Sequence, residues 1–486
     1  MRRVSLALGI AASIAGLVAQ PAPLLGQSSG YTQTHDLVVL GGWLFTSTDT
    51  VRVRNPGILI RAGKFQRVGG DLSEVKPGAD TVRLTDDETI TPGLFDLHAH
   101  YHVALFGRGR VDETRAYPSL FLANGVTSTW PAGEMNPDSM RALRIRIDRG
   151  MEPGPRLLNS GPYFGTARPT GWPRDISVDS IDAEVDHWSE MGVVGFKAKG
   201  ISPYQLEALI DRAHEHGRTV TGHLDSGFRN SVNPRDAILM GIDRIEHFMG
   251  GDAYPADRSA YASLETFTDA TFASPAYRRT FQLYIQHHVY YDATISAYGY
   301  YGNRDPRVFA PFTDEQRFFT PYARTVIASH PPRRVVEQFE KIYWVKQKEI
   351  KAFYDAGGGA LITLGTDHPS DGDYLTPFDV HRELLTFVLS GIPPYAALRF
   401  ATINAANAMG LGNRLGSIET GKWADAVVVH GNPLADIRAM RFPVIVIKAG
   451  VAYDPKRLTS AVVGTIGPAT PADSIFWLGG KSTIYR

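Results

Sequence analysis

Six side chains able to hold a divalent cation close short apolar runs in this chain. They are His98 and His100 in Thr91-Pro-Gly-Leu-Phe-Asp-Leu-His-Ala-His, then Lys197, His223, His247 and Asp367. Imidazole nitrogen and carboxylate oxygen are ligands for zinc-like ions, and such ions activate water for hydrolysis. A single His-x-His pair carries little weight, whereas ligand types recurring at several strand ends point to a metallohydrolase. Lys197 sits in the apolar run Gly195-Phe-Lys-Ala-Lys-Gly, where an unpaired ammonium is costly. Burial lowers an amine's pKa, and the neutral amine is the form that adds carbon dioxide to become a carbamate. Lys199 shares a strand face with Lys197 by the period-two rule and is the alternative for that role.

The elements that must position these groups alternate. Strand-like runs cover 94–100, 125–130, 156–160, 193–197, 219–224, 244–248, 290–296 and 360–367. Amphipathic helical stretches separate most of them, such as 203–216 with its Leu206, Leu209, Ile210 and Ala213 stripe. Eight strand and helix units predict an α/β fold, the (β/α)8 TIM barrel, in which catalytic groups stand at the C-terminal ends of strands. His98 and His100 would face the interior while Leu97 and Ala99 face the helices. Flanking this middle, 36–90 and the runs Ala424-Asp-Ala-Val-Val-Val-His and Val444-Ile-Val-Ile-Lys-Ala-Gly read as short strands and turns. They predict a small β-sandwich domain built from both ends of the chain, 35–91 and 412–486, around a barrel of 92–411.

The 486 residues, 43% hydrophobic and 21% charged, are ordinary globular material. Lys plus Arg and Asp plus Glu both number 50, so no basic excess suggests nucleic acid. Cysteine is absent, which removes disulfides and thiolate metal sites. Arg2 and Arg3 precede the apolar run Val4 to Ala19, and Gln20-Pro-Ala-Pro and a polar Gln27-Ser-Ser-Gly segment follow. This reads as a signal peptide over 1–27, too short to span a bilayer comfortably, and predicts an exported protein, periplasmic or secreted. No other stretch reaches the roughly 20 apolar residues of a spanning helix.

Four segments carry a resemblance. Pro92-Gly-Leu-Phe-Asp-Leu-His-Ala-His, Arg244-Ile-Glu-His and Leu364-Gly-Thr-Asp are three of them. The fourth runs from Ala401-Thr-Ile-Asn-Ala-Ala-Asn-Ala-Met-Gly-Leu to Leu415-Gly-Ser-Ile-Glu-Thr-Gly-Lys-Trp-Ala-Asp-Ala-Val-Val-Val. With these the chain resembles the amidohydrolase superfamily, in its imidazolonepropionase-like and prolidase-like branch, over nearly all of its length past the leader. The resemblance implies two divalent ions, commonly zinc, bridged by a carbamate on Lys197. It assigns His98, His100 and Asp367 to the more buried ion and His223 and His247 to the other. Branches with one ion and no lysine leave the metal number open. After His223 the chain continues Leu-Asp-Ser, where prolidase-like relatives often carry a second His or a Tyr, so the grip on substrate is open too.

The activity expected is cleavage of an amide C–N bond. A bound water's pKa falls from 15.7 toward about 7, and Asp367 would carry its proton to the leaving amine. N-acyl amino acids or dipeptides with hydrophobic groups are the expected substrates. Cyclic amides, lactones and esters are alternatives, and a non-hydrolytic isomerase or an inactive scaffold are further ones. His368, beside Asp367, is a candidate substrate contact. The segment 297–333 is dense in aromatics, including Tyr298, Tyr300 and Tyr301. Those three would wall the substrate pocket, or else pack into a subdomain of their own. The partner is a small molecule, and a homo-oligomer is compatible with the sequence.

Overall fold

The computed structural model describes residues 35–105, 110–224, 232–254, 259–311, 314–330, 334–367 and 374–478. The predicted leader and His368 lie outside the described residues.

The strands of the middle are buried on both faces, which is why their sequences run apolar without clean alternation. Among the described residues they are Leu94–Ala99, Val126–Pro131, Arg156–Leu157, Gly195–Lys199, Thr219–His223, Arg244–Glu246, Tyr290–Asp292 and Ile362–Thr363. Each pairs in parallel with its neighbour in chain order. The third strand is broken: Arg156–Leu157 pairs with the second strand, and its continuation Tyr163–Phe164 pairs with the fourth. The Val194 N–H donates to the Asn159 carbonyl at 3.0 Å and spans the break. The barrel closes where the Leu97 N–H donates to the Leu364 carbonyl, also at 3.0 Å.

Helices return the chain between strands. In Pro203–Glu215, Pro stands in the first turn and the Gln205 side chain accepts from the Ser202 N–H at 3.2 Å. That arrangement satisfies an otherwise orphaned donor at the helix start. Leu206, Leu209, Ile210 and Ala213 are its buried stripe, as the spacing predicts.

Several expected strands are shorter than the sequence implied, the third and sixth ending at Leu157 and Glu246. The seventh stops at Asp292, and Ile295 and Ser296 begin the helix Ile295–Tyr301. The eighth is a two-residue ladder preceded by a 3-10 turn at Gly358–Leu361. In both places the chain leaves the sheet through a left-handed residue, Thr294 and Asp367.

Both ends of the chain meet in one sheet of eight strands among the described residues. The strand Asp80–Pro92 pairs in parallel with Leu37–Leu44 along one edge and antiparallel with Ala426–His430 on the other. Leu37, Val39, Ile58, Ile60, Phe65, Ile90, Val428 and Ile447 give this sheet its own core. The same strand runs through Gly93 into the first barrel strand, so the sheet and His98 lie on one continuous stretch of chain. Among the described residues no helix is long and apolar enough to cross a membrane.

Candidate metal centre

The ligand types converge because each stands where a parallel strand ends. Phe95 and Leu97 pack with Trp130, Ala405, Met409 and Leu411 on one face of the first strand. Asp96 and His98 take the opposite face, as alternation requires. The Asp96 carboxylate accepts from the Thr366 hydroxyl at 2.8 Å and from the His98 N–H at 3.0 Å, which ties the first strand to the eighth. Gly365 lets those strands approach: a Cβ there would lie 2.6 Å from the His98 Cβ and 2.1 Å from an Asp292 oxygen.

Asp367 is the hub. Its Oδ1 lies 2.8 Å from His100 Nε2 and 3.2 Å from His98 Nε2, and its Oδ2 lies 3.8 Å from His247 Nε2. The His223 and His247 rings meet edge to face with centroids 4.2 Å apart, and His247 stands 5.1 Å from His98. Lys197 is fully enclosed and its Nζ lies against the Glu246 carboxylate. All six sequence-derived candidates are thus brought to one mouth.

Two further carboxylates join them. Glu246 Oε1 is 3.4 Å and Asp292 Oδ2 is 3.5 Å from His98 Nδ1, and both side chains are wholly buried. The sequence offered a signal for each. Glu246 directly precedes His247, and Asp292 ends the run Val289-Tyr-Tyr-Asp in the same way that Asp367 ends its own.

Burial sets the charges here. It pushes His100 down to about 4 despite the Asp367 carboxylate, and holds His223 and His247 well below the usual imidazole range. These rings are therefore neutral at pH 7 and keep a lone pair for a cation. Burial, with the Lys199 charge beside it, drives Lys197 well below the ordinary amine range, toward the neutral form. Burial alone would raise Asp367, but His98, His100 and His247 outweigh it and keep the carboxylate ionised.

The tautomer of His247 follows from one hydroxyl. Thr294 Oγ1 donates its proton to the Ala293 carbonyl at 2.8 Å and lies 2.8 Å from His247 Nδ1. With its proton committed, the hydroxyl accepts from Nδ1–H, which leaves the lone pair on Nε2 facing the cluster.

The residues fit divalent cations. His98 Nδ1, His247 Nε2, Glu246 Oε1 and both oxygens of Asp292 are buried without a hydrogen-bond partner, a costly state for so many polar atoms in one place. Two sets, His98, His100 and Asp367 and then His98, Glu246 and His247, each bring a ligand atom from every member within 4.8 Å of the others. His247, Thr294 and Asp367 all have left-handed backbone at φ 65°, 48° and 46°. Such strain, about 1 kcal/mol or more per residue, persists where the surroundings over-determine it.

The aromatic segment is placed differently from a simple pocket wall. Tyr298 is buried against Phe248, Tyr261 and Phe339. Tyr300 packs with Tyr301, Tyr374, Val308 and Phe309, and the half-buried Tyr301 lies against Phe339. These rings mainly fill a local core, which favours the self-packed subdomain over the substrate wall. Because Tyr300 is 1% exposed, Tyr300→Ala is expected to cost about 3–5 kcal/mol, read as a lower denaturation midpoint with unchanged slope.

A family model described as the Amidohydrolase family matches residues 89–452. Adenine deaminase of Paracoccus denitrificans is 20% identical over 455 residues, 90% of this chain and 61% of that one. 5-Methylthioadenosine/S-adenosylhomocysteine deaminase of Teredinibacter turnerae is 36% identical over 95 residues, 18% of this chain. The match spans only 21% of that relative's length. Among solved structures, a Xaa-Pro dipeptidase with bound methionine aligns with TM-score 0.63 and 21% identity, over 86% of this chain and 100% of its own. Molinate hydrolase aligns with TM-score 0.65 and 19% identity, over 91% and 99%; likenesses at this identity speak to fold. A family match over most of the chain, on a barrel whose strand ends carry the ligand types, places this chain in the Amidohydrolase family.

Proposed function

We propose that this chain is an exported, metal-dependent hydrolase that cleaves the amide C–N bond of N-acyl amino acids or dipeptides. The observation that supports it most is the convergence of His98, His100, Lys197, His223, His247 and Asp367 on one barrel mouth, with unpaired buried lone pairs between them. His98, His100 and Asp367 would hold one cation and His223 and His247 a second, with a carbamate on Lys197 between them; zinc suits this donor set. When bound, such ions supply Lewis acidity and make water a nucleophile near neutral pH.

The rest is the work of side chains. Asp367 is 31% exposed, whereas Glu246 and Asp292 are wholly buried. Asp367 is therefore the carboxylate of the cluster that substrate can reach. Its Oδ1 is engaged by His98 and His100, so Oδ2 takes the proton of the attacking water and returns it to the departing nitrogen. The neutral imidazoles add no competing positive charge to the mouth. Export is proposed from the leader over 1–27, and sequencing the N-terminus of the envelope fraction tests it.

Purified protein is expected to carry about two divalent ions per chain, and chelation should abolish turnover. Elemental analysis combined with a screen of dipeptides, N-acyl amino acids and cyclic amides tests the reading. A metal-free, fully active enzyme would overturn it. Deamination of a cyclic amidine is the second reading, favoured by the match to adenine deaminase over 90% of the chain. Ammonia release from aminopurines without peptide cleavage would select it.

A further inference from the structure

His247 is held through its main chain as firmly as through its ring. Its N–H donates to the Asp292 carbonyl at 2.8 Å. Its own carbonyl accepts from the Tyr291 hydroxyl at 2.7 Å and from the Lys346 ammonium. Lys346 projects from the helix Glu337–Asp355, is fully buried, and lies among the rings of Phe248, Tyr291 and Tyr298 at 4.9, 5.5 and 5.3 Å. It also donates to the Tyr291 hydroxyl at 3.1 Å.

Glu349, one helical turn further along, completes the group. Its Oε1 accepts from Tyr277 at 2.6 Å and Tyr254 at 3.0 Å, and its Oε2 lies 2.8 Å from the Tyr291 hydroxyl, whose single proton it shares with the His247 carbonyl. Glu349 and Lys346 are both 0% exposed. Burying two ionisable side chains this way is costly, and apolar replacements of equal volume are often no less stable. Stability alone does not account for the arrangement, whereas its point of attachment does. The carbonyl it grips belongs to a left-handed, non-glycine residue at φ 65°, whose ring must meet His223 and His98 at 4.2 and 5.1 Å. Imidazoles converging on one point gain nothing from one another, so the backbone has to fix the ring beforehand.

We propose that Lys346, Tyr291 and Glu349 are positioning residues that clamp the His247 main chain and thereby preorganise its Nε2 for cation binding. The inference rests on the metal-centre reading above. Supporting groups behind metal ligands typically change affinity by about 10–100-fold when removed.

The test is the zinc dissociation constant and stoichiometry of folded wild-type, Tyr291→Phe, Lys346→Met and Glu349→Gln proteins, measured with a competing chromophoric chelator. The destabilised control is Arg61→Ala, which breaks the Arg61–Asp36 ion pair in the terminal sheet. The expected result is a loss of about 10-fold or more in affinity for one of two ions in the clamp variants. The control should lower Tm and leave zinc binding intact. Wild-type zinc constants in clamp variants that only melt earlier would overturn the clamp while leaving the metal centre standing. A wild-type protein that binds no zinc would overturn the metal centre and the clamp with it. Should Lys346→Met fail to fold, Tyr291→Phe, which removes one oxygen, decides the matter.

Discussion

Asp367→Asn is expected to lower kcat by about three orders of magnitude, with a smaller change in KM. Asp367 meets His98, His100 and His247 at 3.2, 2.8 and 3.8 Å, so on the mechanism proposed above the amide would lose an anionic ligand and a proton carrier in one step. An amide retains the size of the carboxylate, and the Asp367 N–H that donates to the His98 carbonyl at 3.0 Å is untouched, so the fold should survive. Steady-state kinetics beside a thermal melt separate the two effects. A kcat near wild type would remove Asp367 from the reaction.

Lys197→Ala should be comparably damaging for a different reason. The side chain reaches the centre of the barrel mouth, where it lies against Glu246. Burial shifts its amine toward the neutral form, the one able to add carbon dioxide. Alanine would remove the bridging group proposed above and leave Glu246 without its partner. Activity should fall to near background and return in part with added short carboxylates, which can occupy the vacated space. Lys199 is half-buried and aligned in register with His223, so Lys199→Ala should keep most turnover. The reverse pattern, an inactive Lys199→Ala beside a normal Lys197→Ala, would transfer the bridge to Lys199.

The barrel was legible because its strands are short apolar runs between periodic helices, and the cluster of candidate ligands because imidazoles at apolar strand ends lack a bland explanation. The remainder is hidden from sequence for physical reasons. Glu246 and Asp292 look like ordinary strand-end acids until the fold buries them beside His98. The break in the third strand depends on which neighbour each half bonds, a tertiary choice that no local propensity encodes. The aromatic density after the seventh strand was visible, but whether those rings face substrate or one another depends on packing with Phe248 and Phe339. Lys346 gave no sequence signal, since a lysine on an amphipathic helix ordinarily reads as solvated.

The strand Asp80–Pro92 has one neighbour, Leu37–Leu44, from early in the chain and another, Ala426–His430, from near its far end. A ribosome emitting about 5–20 residues per second delivers the second neighbour only after the whole barrel. For roughly tens of seconds this strand therefore presents bare N–H and C=O groups, the template on which unrelated chains aggregate. The acidic run Asp86-Asp87-Glu88 lies within the strand that waits, and charge on an open edge discourages foreign pairing. The arrival of Ala426–His430 should then be a late step in the birth of this protein, with Pro443–Lys448 and Val451–Tyr453 adding beyond it, and a nascent chain halted before it should be the form that a chaperone must hold.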